Sequence, residues 1–216
     1  MAKLKLGVLI SGRGTNLQAL IDACTHEDFP AEIALVVSNV ADAAGLERAR
    51  SAGIQQLVIN HREFETRESF DEAVSSALDT HEVGLICLAG FMRLLTRGFV
   101  DRWRDRIINI HPSLLPAFKG LHVHERVIEA GVRITGATVH FIRAEMDEGP
   151  IICQGAMAVS ADDTPDSLAD RVLEIEHQLY PLAVRLIAEG KARVAGEIVP
   201  YIDIGDPGGP LINPRA

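Results

Sequence analysis

The sequence predicts an α/β protein with a mostly parallel, Rossmann-like sheet, helices on both faces, and a C-terminal β-hairpin followed by a long helix. Three observations predict this fold. Short apolar runs rich in β-branched residues recur along the first half, and segments with helical periodicity separate them. After residue 120 this alternation gives way to two longer runs joined by an acidic loop. Alternating strands and helices favour parallel neighbours with right-handed crossovers.

The first half contains the parallel part of the predicted sheet. Five runs predict its strands: Leu6–Ile10, Ile33–Val37, Gln56–Ile59, Leu85–Ala89 and Ile107–Ile110. Three segments between them predict helices: Asn16–Ala23, Ala44–Ala52 and Thr66–Asp79. In the third helix, one apolar face is marked by Phe70, Val74, Ala77 and Leu78.

The second half predicts the hairpin and the long helix. Ile134–Phe141 and Ile151–Val159 are its two strands, and the loop "IRAEMDEGP" joins them. The helix spans Pro165–Glu189, with Thr164 or Asp163 as N-cap and a glycine after its end. We predict a single domain over residues 1–190, with halves of about 1–105 and 106–190, and a partly disordered extension over residues 191–216.

Composition narrows the class of protein. The 216 residues carry a net charge of −9 with both signs interspersed, and no basic run contains interleaved aromatic residues, so a nucleic-acid partner is not expected. No apolar run approaches membrane-spanning length, and the N-terminal run is interrupted by Lys5, so neither a membrane partner nor a signal peptide is expected. Cys24, Cys87 and Cys153 form no CxxC pair, which indicates a reduced, cytoplasmic protein.

A glycine-rich turn, "GVLISGRGTNL", connects the first strand to the first helix. It lacks the Lys-Ser/Thr of a P-loop, and Leu17 stands where a dinucleotide fingerprint has its third glycine. A phosphate monoester held by Gly14, Thr15 and Asn16 fits better, because backbone N–H groups at a helix N-terminus bind anions. The alternative is a tight turn without ligand, in which Asn16 caps the helix.

A polar pair ends the fifth predicted strand. Asn109 and His111 point to the same side because strand side chains alternate, and the C-terminal end of a parallel strand is where open α/β sheets bind ligands. An amide and an imidazolium both donate to a developing oxyanion. A carboxylate from the acidic loop would favour the charged ring, and Asp147, just before Glu148-Gly149-Pro150, is our candidate. Alternatively, the histidine only ends a strand and the loop acids are only solvated.

Arginines and apolar residues suggest a further ligand. Arg67 and Arg93 are candidates for binding carboxylates, and Phe91, Met92, Leu94 and Leu95 supply an apolar wall that suits a flat heteroaromatic ligand with an acidic tail. The alternative places the methionine and both leucines in the core, with Arg93 at the surface.

A metal site is the remaining alternative. His111, His122, His124 and His140 lie close in sequence, but there is no HExxH motif and no cysteine ligand, and His122 and His124 are expected in a loop. We therefore predict no metal. Leu115-Pro116 is expected to be a cis peptide, because a sharp turn must return the chain beside the polar pair.

Six motifs appear together in one order: "VLISGRGTNLQALIDA", "VVSN.ADAAGLERA", "LAGFMRLL", "NIHPSLLPAFKGLH", "GATVHF" with "DEGPII", and "EHQLYP". They cover residues 6 to about 181. In these motifs the sequence resembles the folate-dependent formyltransferases, in particular the phosphoribosylglycinamide formyltransferase (GAR transformylase) branch. The motif "HPSLLP" is shared across these enzymes, whereas "SGRGTN" and the Glu176-His177 region point to this branch.

The resemblance implies a reaction and a set of site residues. The formyl group of 10-formyltetrahydrofolate would pass to the amine of glycinamide ribonucleotide, without a metal, in a monomer or homodimer. The implied substrate-binding residues are Gly14, Thr15, Asn16 and Glu176; the implied folate-binding residues are Arg67, Met92, Arg93, Leu94, Leu95, Asn109, Ile142 and Asp147; the implied catalytic residues are Asn109, His111 and Asp147. The choice of Asp147 over Glu145 rests mainly on the resemblance. Leu173 departs from the family, which often has a polar residue near the phosphate there.

Other functions remain alternatives. A formyltetrahydrofolate hydrolase or another formyl-folate transferase would share the "HPSLLP" element, although the chain is shorter and more acidic than we expect for an enzyme acting on tRNA. A folate-binding or sugar-phosphate-binding module without catalysis is the non-enzyme alternative, but simple binding does not require Asn109, His111 and Asp147.

Overall fold

The computed structural model describes residues 2–200, 202, 209, 211 and 213. Of the predicted extension over residues 191–216, twelve residues lie outside this set, and its partial disorder stays a prediction. The chain divides into two compact units: the first comprises residues 1–109 and 141–144, and the second comprises residues 110–140 and 145–216. The prediction of a single domain over residues 1–190 stays a prediction. Among the described residues, no helix is long and apolar enough to cross a membrane.

The first unit contains parallel strands in the order β3-β2-β1-β4-β5. The strands are β1 (Leu4–Ile10), β2 (Ala31–Ser38), β3 (Gln56–Val58), β4 (Leu85–Leu88) and β5 (Ile107–His111), whose last two residues belong to the second unit. The helices are α1 (Thr15–Cys24), α2 (Gly45–Ser51), α3 (Arg67–Thr80) and α4 (Arg97–Arg102), with a 3₁₀ turn at His61–Glu63. The strand order reverses between β1 and β4, which is where ligands bind in open α/β sheets.

Helices cover both faces of this parallel sheet, as predicted. On one face, Leu9 of β1 joins a buried cluster that includes Phe70 and Val74 of α3 and Trp103 after α4. The next residue, Ile10, points to the opposite face, where its Cδ1 lies 2.7 Å from the position a Cβ on Gly45 of α2 would take. The contacts therefore place α3 on one face and α2 on the other.

The second unit contains the predicted hairpin and long helix. Strands β6 (Ile134–Phe141), whose last residue belongs to the first unit, and β7 (Ile151–Ala158) pair antiparallel. The helices are α5 (Val123–Glu129) and α6 (Pro165–Ala188). Helix α6 begins at a capping box, in which Thr164 and Ser167 exchange side-chain and backbone hydrogen bonds. It packs closely on β7, because a Cβ on Gly155 would lie only 2.5 Å from Ile175.

The predicted strands and the four predicted helices all occur, with ends displaced by at most about two residues. Helices α4 and α5 were not predicted, because such short segments carry too little periodicity to detect. The expectation that His124 lies in a loop is wrong, since it lies in α5, and His122 is the N-cap of that helix. The Leu115-Pro116 peptide is cis, as predicted.

Candidate active site

The glycine turn of the first unit ends in a left-handed residue. Gly14 is the N-cap of α1, with φ 68° and ψ 33°, and no side chain caps this end. A glycine suits this conformation because it has no Cβ to clash with the backbone. Thr15 begins the ten-residue helix, and Asn16 lies inside it with 9% exposure. The alternative in which Asn16 caps the helix is therefore wrong, and backbone N–H groups at the start of α1 stay without a side-chain cap.

Three neighbouring strand ends of the first unit are tied together beside this turn. Ser11, just after β1, donates its hydroxyl to Asn39 Oδ1 at 2.6 Å, and Asn39 follows β2. The same hydroxyl oxygen accepts the N–H of Met92, which follows β4, at 2.8 Å. These bonds fix the starts of the loops at the carboxyl ends of the parallel strands.

The segment after β4 exposes the apolar residues of the proposed folate site. Met92 is 75% exposed and Leu94 is 59% exposed, so the alternative that places both in the core is wrong. The Arg93 guanidinium lies 4.8 Å from the centre of the Phe70 ring, and its Nε is buried without a hydrogen-bond partner. A polar, aromatic ligand would accept a hydrogen bond from the buried Nε and cover the exposed apolar side chains.

The other residues predicted to bind the folate lie in less informative places. Arg67 is exposed at the first position of α3. Leu95 and Ile142 are partly buried and pack against the core of the first unit, and the Ile142 N–H donates to the Ile107 carbonyl at 2.9 Å. Arg67 is therefore exposed to solvent, whereas Leu95 and Ile142 contribute in part to core packing.

Strand β5 carries the predicted polar pair. Ile107, Ile108 and Ile110 are buried, whereas Asn109 is half-buried and His111 is 5% exposed. Alternation along the strand directs Asn109 and His111 to the same side. Three isoleucines around the pair anchor this strand in the core, which restricts the motion of the two polar side chains.

The second unit brings His111 and Asp147 together. His111 Nδ1 lies 3.5 Å from Asp147 Oδ2, and the side chains are 7% and 9% exposed. On the other side of the ring, Nε2 lies 3.0 Å from the Phe118 carbonyl oxygen. A carbonyl oxygen and a carboxylate oxygen both accept hydrogen bonds, so each ring nitrogen of His111 faces an acceptor. The His111 ring therefore lies between two hydrogen-bond acceptors.

Asp147 is held from several directions. Its backbone has φ 56°, an uncommon left-handed conformation that aspartate adopts more readily than most residues. Oδ2 accepts the Gly120 N–H at 2.8 Å, and Oδ1 lies 3.8 Å from Nε2 of the fully buried His140. Glu148 instead pairs with Lys119, and Glu145 is exposed, so Asp147 is the loop acid that the structure pairs with His111.

His140, Phe118 and Gly120 are site residues that sequence reasoning missed. His140 was considered only as a metal ligand, yet it lies beside Asp147. The sequence signal for His140 was its alternation with Thr138, which places both polar residues on one side of β6. In the structure both side chains are fully buried, which is unusual for polar residues. The backbone groups of Phe118 and Gly120 carry no side-chain signal.

The short loop from Ala117 to Leu121 supplies those two backbone contacts. Arg126 of α5 donates to the Lys119 carbonyl at 2.6 Å and to the Leu121 carbonyl at 3.2 Å. Nearby, burial lowers the pKa of His124, with the charge of His111 as a smaller cause in the same direction. Burial therefore favours the neutral form of His124.

The remaining predicted site residues lie on α6. Glu176 is buried with 8% exposure, and Leu173 lies one turn earlier and is half-buried. Within the described part of the chain, no group of histidine, cysteine, aspartate or glutamate side chains is arranged to hold a metal ion.

Comparison with known proteins gives consistent results. The formyl transferase family model matches residues 4–184. The phosphoribosylglycinamide formyltransferase of Haemophilus influenzae is 44% identical over 199 residues, covering 92% of this chain and 93% of that protein. The trifunctional purine biosynthetic protein adenosine-3 of Gallus gallus is 52% identical over 198 residues. That match covers 91% of this chain but only 20% of the trifunctional protein, so this chain spans about a fifth of its length.

A solved structure gives the same result for the fold. The glycinamide ribonucleotide transformylase 1 of Symbiobacterium toebii superposes with a TM-score of 0.91 and 47% sequence identity. The superposition covers 93% of this chain and 95% of that one. An α/β sheet with a C-terminal helix is thus the shared architecture.

Proposed function

We propose, because this chain belongs to the formyl transferase family, that it transfers the formyl group of 10-formyltetrahydrofolate to the amine of glycinamide ribonucleotide. The products are formylglycinamide ribonucleotide and tetrahydrofolate, in a step of de novo purine biosynthesis. The full-length similarity to an enzyme named for this reaction supports the proposal.

The ribonucleotide phosphate binds at the glycine turn. Gly14, Thr15 and Asn16 stand at the start of α1, where uncapped N–H groups and the helix dipole favour an anion. Glu176, a buried carboxylate on α6, binds polar groups of the same substrate. Leu173 offers no polar atom to the phosphate, so the turn supplies most of that recognition.

The formyl-folate binds along Met92, Arg93, Leu94 and Leu95, with contributions from Asn109, Ile142 and Asp147. The exposed Met92 and Leu94 side chains pack against the flat pterin, and the unsatisfied Arg93 Nε is available to one of its acceptors. Arg67, exposed at the N-terminus of α3, pairs with a carboxylate of the glutamate tail.

Asn109, His111 and Asp147 carry the chemistry. The substrate amine attacks the formyl carbon, and the formyl oxygen becomes an oxyanion in the tetrahedral intermediate. The Asn109 amide and the His111 imidazolium donate hydrogen bonds to this oxygen, and Asp147 stabilises the charged ring. The Phe118 carbonyl accepts from His111 Nε2 in this structure, so donation through that nitrogen requires the formyl oxygen to replace it.

The proton balance follows from the bonds that form and break. The attacking amine loses one proton when its new C–N bond is complete, and the folate nitrogen gains one as its own C–N bond breaks. His111 is the proton donor, and water completes the transfer. No step requires a metal.

The proposal rests on one observation: His111 and Asp147 are both buried, with Nδ1 and Oδ2 3.5 Å apart. The other ring nitrogen of His111 faces the Phe118 carbonyl oxygen. Simple ligand binding does not require a buried carboxylate beside a buried imidazole, and burying a carboxylate costs free energy. The pair therefore favours catalysis over simple binding.

The test is an assay with glycinamide ribonucleotide and 10-formyltetrahydrofolate, following loss of the formyl donor. We expect loss only when both substrates are present. Loss of formyl groups without the ribonucleotide would instead indicate a formyltetrahydrofolate hydrolase. Binding of either ligand without turnover would indicate the non-enzyme alternative. The expected cytoplasmic location and the monomeric or homodimeric state stay predictions, as does the expected lack of a nucleic-acid partner.

A further inference from the structure

Helix α2 donates hydrogen bonds to the glycine turn of the first unit. The Gly45 N–H donates to the Gly12 carbonyl at 2.9 Å, and Arg48 Nε donates to the Arg13 carbonyl at 3.0 Å. Two consecutive peptides of the turn therefore have their carbonyl oxygens bound by one helix.

These two bonds set the direction of the groups that would meet a phosphate. A trans peptide is planar, so its C=O and N–H point in opposite directions. With the Gly12 and Arg13 carbonyls directed at α2, the N–H groups of Arg13 and Gly14 point away from it. Both are then presented on the side opposite α2, where an anion can accept from them.

Arg48 also connects the turn to α1. Its NH1 also donates to the Gln18 side chain at 3.2 Å, so one guanidinium joins the turn to the first turns of α1. Its stem lies against the turn, since a Cβ on Gly14 would be 3.5 Å from Arg48 Cδ. The same approach brings that Cβ within 2.6 Å of the Gly45 Cα, so the backbones meet closely here.

We infer that Arg48 is a positioning residue for substrate binding: through the Arg13 carbonyl and the Gln18 amide, it fixes the N–H groups of the turn for the phosphate of glycinamide ribonucleotide. The inference rests on the proposed function, because that function places the phosphate at this turn. Arg48 acts through the backbone of the turn and touches no reacting atom.

The test compares Arg48→Met, Arg48→Lys and the control Arg50→Met. Arg50 lies on the same helix and pairs with Glu47, so its replacement removes an equal charge without touching the turn. We expect Arg48→Met to raise KM for the ribonucleotide about tenfold, with kcat and KM for the formyl donor changed less than about twofold. Arg48→Lys keeps the charge but loses the two-point geometry, and should stay at least about fivefold above wild type. Arg50→Met should match wild type.

Three outcomes would overturn the inference: an unchanged KM in Arg48→Met, full recovery in Arg48→Lys, or an equal effect of Arg50→Met. If Arg48→Met does not fold, Arg48→Lys decides by the same comparison. Binding of inorganic phosphate, followed through the amide signal of Gly14, separates this inference from the proposed function. A wild-type protein that binds phosphate but forms no formylated product would refute the function, while weaker phosphate binding in the Arg48 variants would still support the positioning role.

Discussion

Replacing Asp147 with asparagine removes one negative charge and keeps the shape of the side chain. The charge lost lies 3.5 Å from His111 Nδ1 and 3.8 Å from His140 Nε2. The asparagine oxygen can still accept the Gly120 N–H, so the loop should keep its position. The variant therefore tests the electrostatic role of Asp147 separately from its structural role.

The magnitude follows from the distance. Two unit charges 3.5 Å apart attract by about 5 kcal/mol at an effective dielectric constant of ~20. The variant loses this attraction in the transition state, where the imidazolium stabilises the oxyanion. A loss of roughly 3–4 kcal/mol there lowers kcat by about 10²–10³. The KM values should change less than about threefold, because the lost interaction acts mainly in the transition state.

The assay is steady-state turnover with both substrates, with Glu148→Gln as the matched control. Glu148 carries the same charge one residue further along and pairs with Lys119 at the surface, so its loss should change kcat by less than about twofold. A kcat for Asp147→Asn within about threefold of wild type would refute the electrostatic role. An equal loss in Glu148→Gln would show that net charge in the loop, and not the His111 pair, is responsible.

Three further predictions concern stability and reactivity. Thr164→Ala should lower the free energy of unfolding by about 1 kcal/mol, because Thr164 and Ser167 form the capping box of α6; denaturant melts showing no loss would contradict this role. Burial raises the pKa of Cys24 to about 11 and that of Cys153 to about 12. Alkylation of these thiols near about pH 8 should therefore be at least 10²-fold slower in the folded protein than in urea, and equal rates would contradict the burial of both thiols. Burial lowers the pKa of His124, so the unfolded chain binds a proton at this residue more readily than the folded chain does. The free energy of unfolding should therefore fall as the pH drops below about 6.5. In urea titrations His124→Gln should reduce that fall, whereas His122→Gln should not.

Much of the fold was predictable because its signals are local. The strands β1, β2 and β4 each contain an apolar run of four or five residues, as expected for parallel strands buried on both faces, and α3 has a clear apolar stripe. Helices α4 and α5, with six and seven residues, offer fewer than two turns of pattern and were missed. Their existence depends on tertiary packing, which no local window reports.

The site was predictable only in part, for the same reason. Asn109 and His111 could be singled out by their residue types and their alternation along β5, whereas the choice of Asp147 over Glu145 rested mainly on the family resemblance. The partners that orient the pair are the Phe118 carbonyl and the Gly120 N–H, which every residue except proline possesses. Arg48 likewise lies more than 30 residues from the turn it holds, in a helix whose sequence suggests only packing.

The measurement that tests the central claim most directly follows the formyl group itself in wild type and His111→Ala. With an isotopically labelled formyl donor, we predict that the label appears on the amine of glycinamide ribonucleotide in the wild type. In His111→Ala both ligands should bind with near wild-type affinity, while transfer slows by about two to four orders of magnitude. Label released as formate by the wild type, or transfer in the variant slowed by less than about tenfold, would contradict the account.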